Sequence, residues 1–184
     1  PAPIADSNVY VKVKEQIFQP MISGLKEKGH PYRGLLYAGL MIDKKGNARV
    51  VEFNCRFGDP ETQALMLLLD QDLLQLMLES AKGEIRSSEI KIREGFATVV
   101  VLAASGYPEN YVKNIPLKLE IPENKDTNVF HAGTNLKDGK LISTGGRILG
   151  VSSFAKTLEE SVRNCYQYLE NNPSDDTFYR RDIA

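Results

Sequence analysis

The stretch that most constrains this chain is VVEFNCRFGDPETQ, residues 50–63. An apolar, strand-compatible run carries Glu52 and Asn54, passes Arg56 and breaks into Gly58-Asp59-Pro60-Glu61. In an extended strand the side chains at i and i+2 project to the same side. Glu52 and Asn54 therefore share one face, and Val51 and Phe53 take the other. Asp followed by Pro is a helix-start signal, since Asp accepts backbone N–H bonds and Pro is pre-set for the first helical turn. The chain must run a strand almost directly into a helix and place two oxygen-bearing side chains at the strand's end.

A carboxylate and an amide oxygen on one face suit a hard cation such as Mg²⁺, which takes oxygen ligands and commonly shares them with phosphate. Arg56, two residues on, lies on the same side if the strand persists, where a guanidinium can neutralise a transferring phosphoryl group. The same residues also fit a purely structural reading. Glu52 can be an exposed strand residue or pair with Arg49 or Arg56, and Asn54 and Asp59 can serve only as turn and cap.

The flanking pattern extends this organisation in both directions. Val9, Val13, Ile17, Met21, Ile22 and Leu25 recur at helical spacing, with Pro20 inside the run and Gly29 and Pro31 after it, which predicts a helix over residues 8–29 that Pro20 kinks or interrupts. GLLYAGLMI and ARVVEFN, joined by DKKGN, predict a hairpin over 34–54. Their continuous apolarity predicts strands covered on both faces. From Asp59-Pro60 one heavily buried helix is expected to reach Ala81 or Lys82, with Gly83 beyond its end. The charged stretch GEIRSSEIKIREG then marks a boundary, giving an expected division into residues 1–90 and 91–184. In the second part FATVVVLAA, PLKLEI, NVFHAGT, KLISTG and GRILGVSS read as strands. A helix is expected from about Thr157 to Leu169, with Thr157 as N-cap and Glu160 as its capping-box partner. The fold class is α/β (α+β).

The bulk properties exclude several classes. Of 184 residues, 42% are hydrophobic and 26% charged, which supports a sizeable core. The 23 basic and 24 acidic residues leave a net charge of −1, so nothing electrostatic points to nucleic acid or a membrane surface. No apolar run is long enough to span a bilayer, and PAPIADSNVY lacks the order of a signal peptide. Cys55 and Cys165 match no zinc or redox spacing, so two reduced thiols in a cytoplasmic protein are expected. No His lies near Cys55 to activate it. His30 and His131 are too few for a His-rich metal site.

RFGDPETQ, Arg56 to Gln63, resembles the run that marks the glycinamide ribonucleotide synthetase family (phosphoribosylamine–glycine ligases): R, then L or F, then GDPE, any residue, then E or Q. YRGLLYAGLM (32–41), GYPENY (106–111), FHAGT (130–134), GGRILGV (145–151) and FYRRDI (178–183) are similar to that family's segments, in the same order. The resemblance implies the C-terminal part of an ATP-grasp domain followed by a small β-rich C-terminal domain. It implies an ATP-dependent ligase of purine biosynthesis that joins glycine to 5-phosphoribosylamine, giving glycinamide ribonucleotide, ADP and phosphate.

Under that resemblance Glu52 and Asn54 are the ligands of Mg²⁺ or Mn²⁺, and Arg56 is the catalytic cation. Asp59 or Glu61 contacts the glycine ammonium or the phosphoribosylamine. Gly145, Gly146 and Arg147 are candidates for the phosphoribosyl phosphate, since paired glycines let backbone N–H groups approach an anion and Arg suits phosphate. A glycine turn with a surface Arg fits those three residues equally. His131 reads as a satisfied strand histidine, and Tyr107 and Tyr111 read as packing residues.

The resemblance also shows departures. Family members are longer and carry an N-terminal half with the ATP-covering lid, its Lys and the adenine hinge, so the chain is expected to be a C-terminal piece whose partner is that missing half. Many ATP-grasp enzymes have a second acidic ligand on the strand before the Glu-x-Asn strand. Here LLYAGLMI has no acid until Asp43 at the turn. Two further readings stand beside the first: another ATP-grasp carboxylate–amine ligase or carboxylase, which lacks the GDPE run, and a non-catalytic structural fragment.

Overall fold

The computed structural model describes residues 7–86 and 90–183. The chain divides into two compact units. One holds the described residues through Gly58 and those from Asp72 to the break at 87–89; the other holds Asp59–Gln71 and everything after that break. Residues 1–6, at the start of the Pro-rich segment, and part of the charged 83–95 boundary lie outside the described residues.

In the first unit the expected N-terminal helix forms with a change of pitch. Helix α1 (Ser7–Val13) passes through a π-helical stretch, Lys14–Phe18, into α2 (Gln19–Glu27). Pro20 has no N–H for the carbonyl of Gln16, so the regular ladder fails there. The Gln19 N–H reaches five residues back to Lys14 O instead. The helix ends on a Schellman pair, Gly29 N–H to Lys26 O (3.0 Å) and His30 N–H to Leu25 O (2.9 Å). Val9 and Val13, one turn apart, are the buried residues of α1, which packs against β2 of the hairpin that follows.

That hairpin is β1 (Tyr37–Ile42) paired antiparallel with β2 (Ala48–Asn54). Its turn is organised by Asp43, whose carboxylate accepts from the backbone N–H of Lys45 (2.8 Å) and of Asn47 (2.9 Å). Coverage of both faces is not what this chain shows: Met41 and Val51 are each 67% exposed. Two strands alone leave most of their apolar surface open, because sheet burial needs further layers.

The single helix expected over 59–82 is two helices. Helix α3 (Glu61–Leu68) belongs to the second unit and α4 (Leu73–Lys82) to the first. Leu69 turns extended and bridges to Ile92. Asp70 N–H bonds Lys91 O (3.0 Å), and Arg93 N–H bonds Leu68 O (2.7 Å). These cross-chain bonds replace the helical ones at the polar Asp70-Gln71-Asp72 break. Asp72 then caps α4 by accepting from Gln75 N–H (3.0 Å). Neither helix buries a residue fully, and Leu74 is 68% exposed, so the heavy burial expected for this run is not seen.

The second unit is built on an antiparallel sheet of order β4-β7-β3-β8. Its centre is β3 (Phe96–Ala104) against β7 (Arg147–Ala155), with β4 (Thr127–His131) and β8 (Thr177–Phe178) at the edges. Helix α5 (Leu158–Asn171) covers the face carrying Thr98 and Val100, and Ser161 Oγ donates to Thr98 Oγ1 (2.8 Å). Helix α3 lies against β3 and β7 on the Gly150 face. Cover on both sides explains the unbroken apolar runs. Val100, Leu102, Ile148, Leu149, Val151, Cys165 and Leu169 form the core with Ile115 and Leu117. Each such aliphatic side chain contributes about 1.5–3 kcal/mol on burial. Thr157 caps α5 as expected, accepting from Glu160 N–H at 3.2 Å.

Two strand expectations need correction. PLKLEI makes only an isolated bridge, Pro116 to Ile142. Beyond it the segment is drawn to α5, where Glu120 N–H bonds Asn172 Oδ1 (2.8 Å) and Tyr168 Oη donates to Glu120 O (2.7 Å). NVFHAGT divides at Ala132-Gly133. Its first part is β4, and Thr134 opens β5 (Thr134–Lys137), which pairs with β6 (Lys140–Ser143) in a separate two-stranded sheet. No helix among the described residues is long and apolar enough to cross a membrane.

Candidate functional site

Strand β2 brings Glu52 and Asn54 to one face, as the i, i+2 spacing requires. Asn54 Nδ2 donates to Glu52 Oε1 at 2.9 Å, so the two side chains touch. Opposite them on β1 stand Tyr37, across from Asn54, and Gly39, across from Glu52. A Cβ on Gly39 would lie 3.1 Å from Glu52 Cγ, so the missing side chain makes the room in which Glu52 lies. Glu52 is exposed and Asn54 half-buried. The Asn54 amide gives its N–H to Glu52, which leaves its oxygen and the second carboxylate oxygen as hard donors. Among the described residues no three His, Cys, Asp or Glu side chains cluster to hold a metal. A cation held by this pair would fill its remaining positions with other oxygens, as Mg²⁺ does with phosphate and water. Asp43, the first acid after the preceding strand, is committed to its turn.

The strand ends at Asn54, and Arg56 lies in the bend that follows. Its Nη1 donates to Phe57 O at 2.8 Å, and the side chain is exposed. The structure thus brings Glu52 and Asn54 together but does not extend the strand face to Arg56.

In the second unit Asp59 is not the helix cap that its place before Pro60 suggests. Pro60 occupies the N-cap position, with no side-chain cap bond. The Asp59 carboxylate instead pairs with Arg147 at the start of β7, Nη2 to Oδ2 at 3.0 Å, while Arg147 Nη1 donates to the Asp59 carbonyl at 3.0 Å. Gln63 Nε2 donates to the other carboxylate oxygen, Oδ1, at 3.2 Å. Glu61 sits exposed in the first turn of α3. Gln63 was not among the expected site residues; its i+4 spacing from Asp59 at a helix start is the signal that points to it.

Gly145 and Gly146 have a packing role. The loop at 132–134 crosses the one at 144–147, with Thr144 N–H bonding Gly133 O (2.8 Å) and Gly133 N–H bonding Arg147 O (3.0 Å). A Cβ on Gly133 would lie 2.6 Å from Gly145 Cα, and one on Gly146 would meet the Tyr107 ring at 2.2 Å. Two backbones and a tyrosine ring pass too closely there for any side chain. Tyr107 in turn meets Tyr111 edge-on at 6.3 Å, so both tyrosines pack as expected. His131 is exposed on the last residue of β4, where its Nδ1 shares a 2.9 Å hydrogen bond with Thr134 Oγ1.

Comparison with known proteins decides the family. Residues 1–62 match the phosphoribosylglycinamide synthetase ATP-grasp (A) domain, and residues 97–184 match the phosphoribosylglycinamide synthetase C domain. The chain belongs to the phosphoribosylglycinamide synthetase family. A phosphoribosylamine–glycine ligase of Leptospira interrogans is 52% identical over 184 residues, covering 100% of this chain and 43% of that protein. The crystal structure of phosphoribosylamine–glycine ligase from Thermotoga maritima superposes with a TM-score of 0.84 at 36% identity, over 99% of this chain and 45% of that one. Biotin carboxylase from Campylobacter jejuni, at 15% identity and a TM-score of 0.68 over 97% of this chain and 39% of its own, shares the fold alone. The chain therefore spans less than half the length of the synthetases it matches. The phosphoribosylglycinamide synthetase assignment accounts for the ATP-grasp fold.

Proposed function

We propose that the chain is the metal- and substrate-bearing part of a phosphoribosylamine–glycine ligase of de novo purine biosynthesis. The observation that carries the reading is the contact of Glu52 with Asn54 on one strand face, directly before the GDPE run, in a chain of this family. A longer enzyme would supply the adenine hinge and lid, since the matched relatives extend well beyond this stretch. We take the ATP-grasp part to end near residue 90, between the two family matches.

The chemistry sets the requirements. A glycine carboxylate is a poor acyl donor. Its oxygen attacks the γ-phosphorus of ATP, an O–P bond forms, and the bond to the β-phosphate oxygen breaks to release ADP. The amine nitrogen of 5-phosphoribosylamine then attacks the carbonyl carbon of glycyl phosphate. A C–N bond forms, phosphate leaves with the C–O electron pair, and the nitrogen loses a proton. Three reactants that each carry an anionic group must be gathered, so cations and oriented donors are the main tools.

Glu52 and Asn54 would hold Mg²⁺ or Mn²⁺, which neutralises phosphate oxygens when bound. Arg56, exposed beside them in sequence, would balance charge on the transferring phosphoryl group. Asp59 would receive the glycine ammonium, with Glu61 as the neighbouring carboxylate. Arg147 uses two of its five N–H groups on Asp59, which leaves donors for a phosphate. Gly145 and Gly146 leave that anion no room at their own backbone, because the Gly133 main chain and the Tyr107 ring fill the space beside them. A cytoplasmic location suits the free thiols of Cys55 and Cys165.

The test uses the full-length enzyme with Glu52→Gln and Asn54→Ala. ADP release that depends on glycine and phosphoribosylamine is expected to fall by about a hundredfold or more in each, as for loss of a metal ligand. Undiminished turnover in both would remove the proposed ligands. Bicarbonate-dependent turnover without glycine would replace the ligase reading with a carboxylase.

A further inference from the structure

We infer that Gln63 is a positioning residue for the amino substrate, acting through Asp59. The inference rests on the reading that Asp59 receives the substrate ammonium. Asp59 is held at three points: Oδ2 by Arg147 Nη2 at 3.0 Å, the main-chain carbonyl by Arg147 Nη1 at 3.0 Å, and Oδ1 by Gln63 Nε2 at 3.2 Å. A carboxylate accepts in about four lone-pair directions. Two are used here, one on each oxygen, so each oxygen keeps one for a substrate N–H. The Asp59 side chain is still 49% exposed and can be reached.

Both holders are referred to one strand. Arg147 opens β7, and the Gln63 stem lies over Gly150 of β7, where an added Cβ would come within 3.9 Å of Gln63 Cγ. Arg147 alone would leave the carboxylate free to swing about the axis of their pairing. Gln63, one helical turn beyond Asp59, fixes the second oxygen and with it the plane of the group.

A second observation separates positioning from packing. Gln63 Oε1 is buried and meets no donor among the described residues. A buried unsatisfied carbonyl is destabilising, and an apolar side chain of the same shape would relieve it. The amide cannot turn over to escape, because its oxygen would then face the Asp59 carboxylate. Stability alone therefore favours Met at this position, and the amide gives Asp59 a hydrogen bond that Met cannot give.

The experiment measures steady-state kinetics and thermal melting of the full-length enzyme carrying Gln63→Met, Gln63→Glu or Asp59→Asn. Gln63→Met keeps the volume and removes the donor. It is expected to raise KM for glycine about tenfold, the loss of one charge-assisted hydrogen bond, with kcat within about twofold, KM for ATP unchanged and Tm not lowered. Gln63→Glu keeps the shape with a residue that the family's run also takes at this place, and is expected to raise KM for glycine by less than Gln63→Met. If Asp59→Asn raises KM for glycine while both Gln63 variants leave it alone, the positioning role is wrong and the Asp59 reading stands. If Asp59→Asn leaves that KM unchanged, the Asp59 reading fails and takes this inference with it. A fall in Tm together with equal losses for all three substrates would make Gln63 a packing residue.

Discussion

Gly39 faces Glu52 across the β1–β2 ladder, and a Cβ on Gly39 would stand 3.1 Å from Glu52 Cγ. The strand that contributes no acid to the proposed metal site contributes an absence of side chain, which lets Glu52 lie against Asn54. Gly39→Ala is expected to push Glu52 aside without removing any ligand. In the full-length enzyme the half-saturating concentration of Mn²⁺ should rise about tenfold, the scale of a lost supporting contact around a metal ligand. Circular dichroism should be unchanged. An unaltered metal requirement would mean that Glu52 does not need this position.

The parts of the fold that were legible in the sequence are those whose cause is local. The Thr157 cap, the Asp43 turn and the β3 and β7 runs each carry their reason within a few residues. The Glu52–Asn54 contact was legible for the same reason, since a strand's period of two sets it. The break at Leu69 was not, because its new partners, Lys91 and Ile92, lie more than twenty residues away. PLKLEI has strand propensity, but Tyr168 of a later helix and Asn172 at its C-cap draw Glu120 out of any ladder. Arg147 and Asp59 meet across 88 residues of sequence, so the tie that takes Asp59 away from capping could not be read from its neighbours.

The two thiols should differ sharply in chemistry. Cys55 is exposed, whereas Cys165 is buried on the inner face of α5, and burial pushes its thiol up to about 12. In native protein at pH 8, iodoacetamide should label Cys55 alone, and Cys165 only after unfolding. The sign of the pH effect follows. A thiol ordinarily at 9.0 that is raised to about 12 on folding stabilises the native state fully below pH 9. That contribution is lost as pH climbs from 9 towards 12. The urea midpoint should therefore fall between pH 8 and pH 10.5, and by less in Cys165→Ala once its own lower baseline is subtracted. Equal native labelling of both thiols would contradict the buried placement of Cys165.

Acid should act on the hairpin turn. The backbone N–H of Asn47, then its side chain, holds the Asp43 carboxyl below its ordinary 3.8. A lowered carboxyl stabilises the folded turn above 3.8, and that contribution disappears as pH falls through the folded value. Amide exchange at Lys45 and Asn47, whose N–H groups Asp43 accepts, should accelerate below pH 3.8 relative to other hairpin amides. Asp43→Ala should exchange fast at every pH and lose this dependence. A turn whose protection ignores both acid and the substitution would show that Asp43 does not organise it.

The crossing at Gly146 predicts a steric couple. A Cβ there would meet the Tyr107 ring at 2.2 Å, and Gly146 O also accepts from Ala104 N–H at 2.8 Å, so the backbone cannot retreat without breaking a sheet-end bond. Gly146→Ala should lower stability by about 1–3 kcal/mol, the scale of overpacking in a tight contact. Tyr107→Ala should also destabilise, by loss of the ring's contacts with Gly146 and Tyr111. The double variant should be more stable than the sum of the two losses, by about 1 kcal/mol or more, because the new methyl group then has room. Urea unfolding of the four proteins measures the cycle directly. Additive losses would mean that Tyr107 moves aside freely and that some other contact requires glycine at 146.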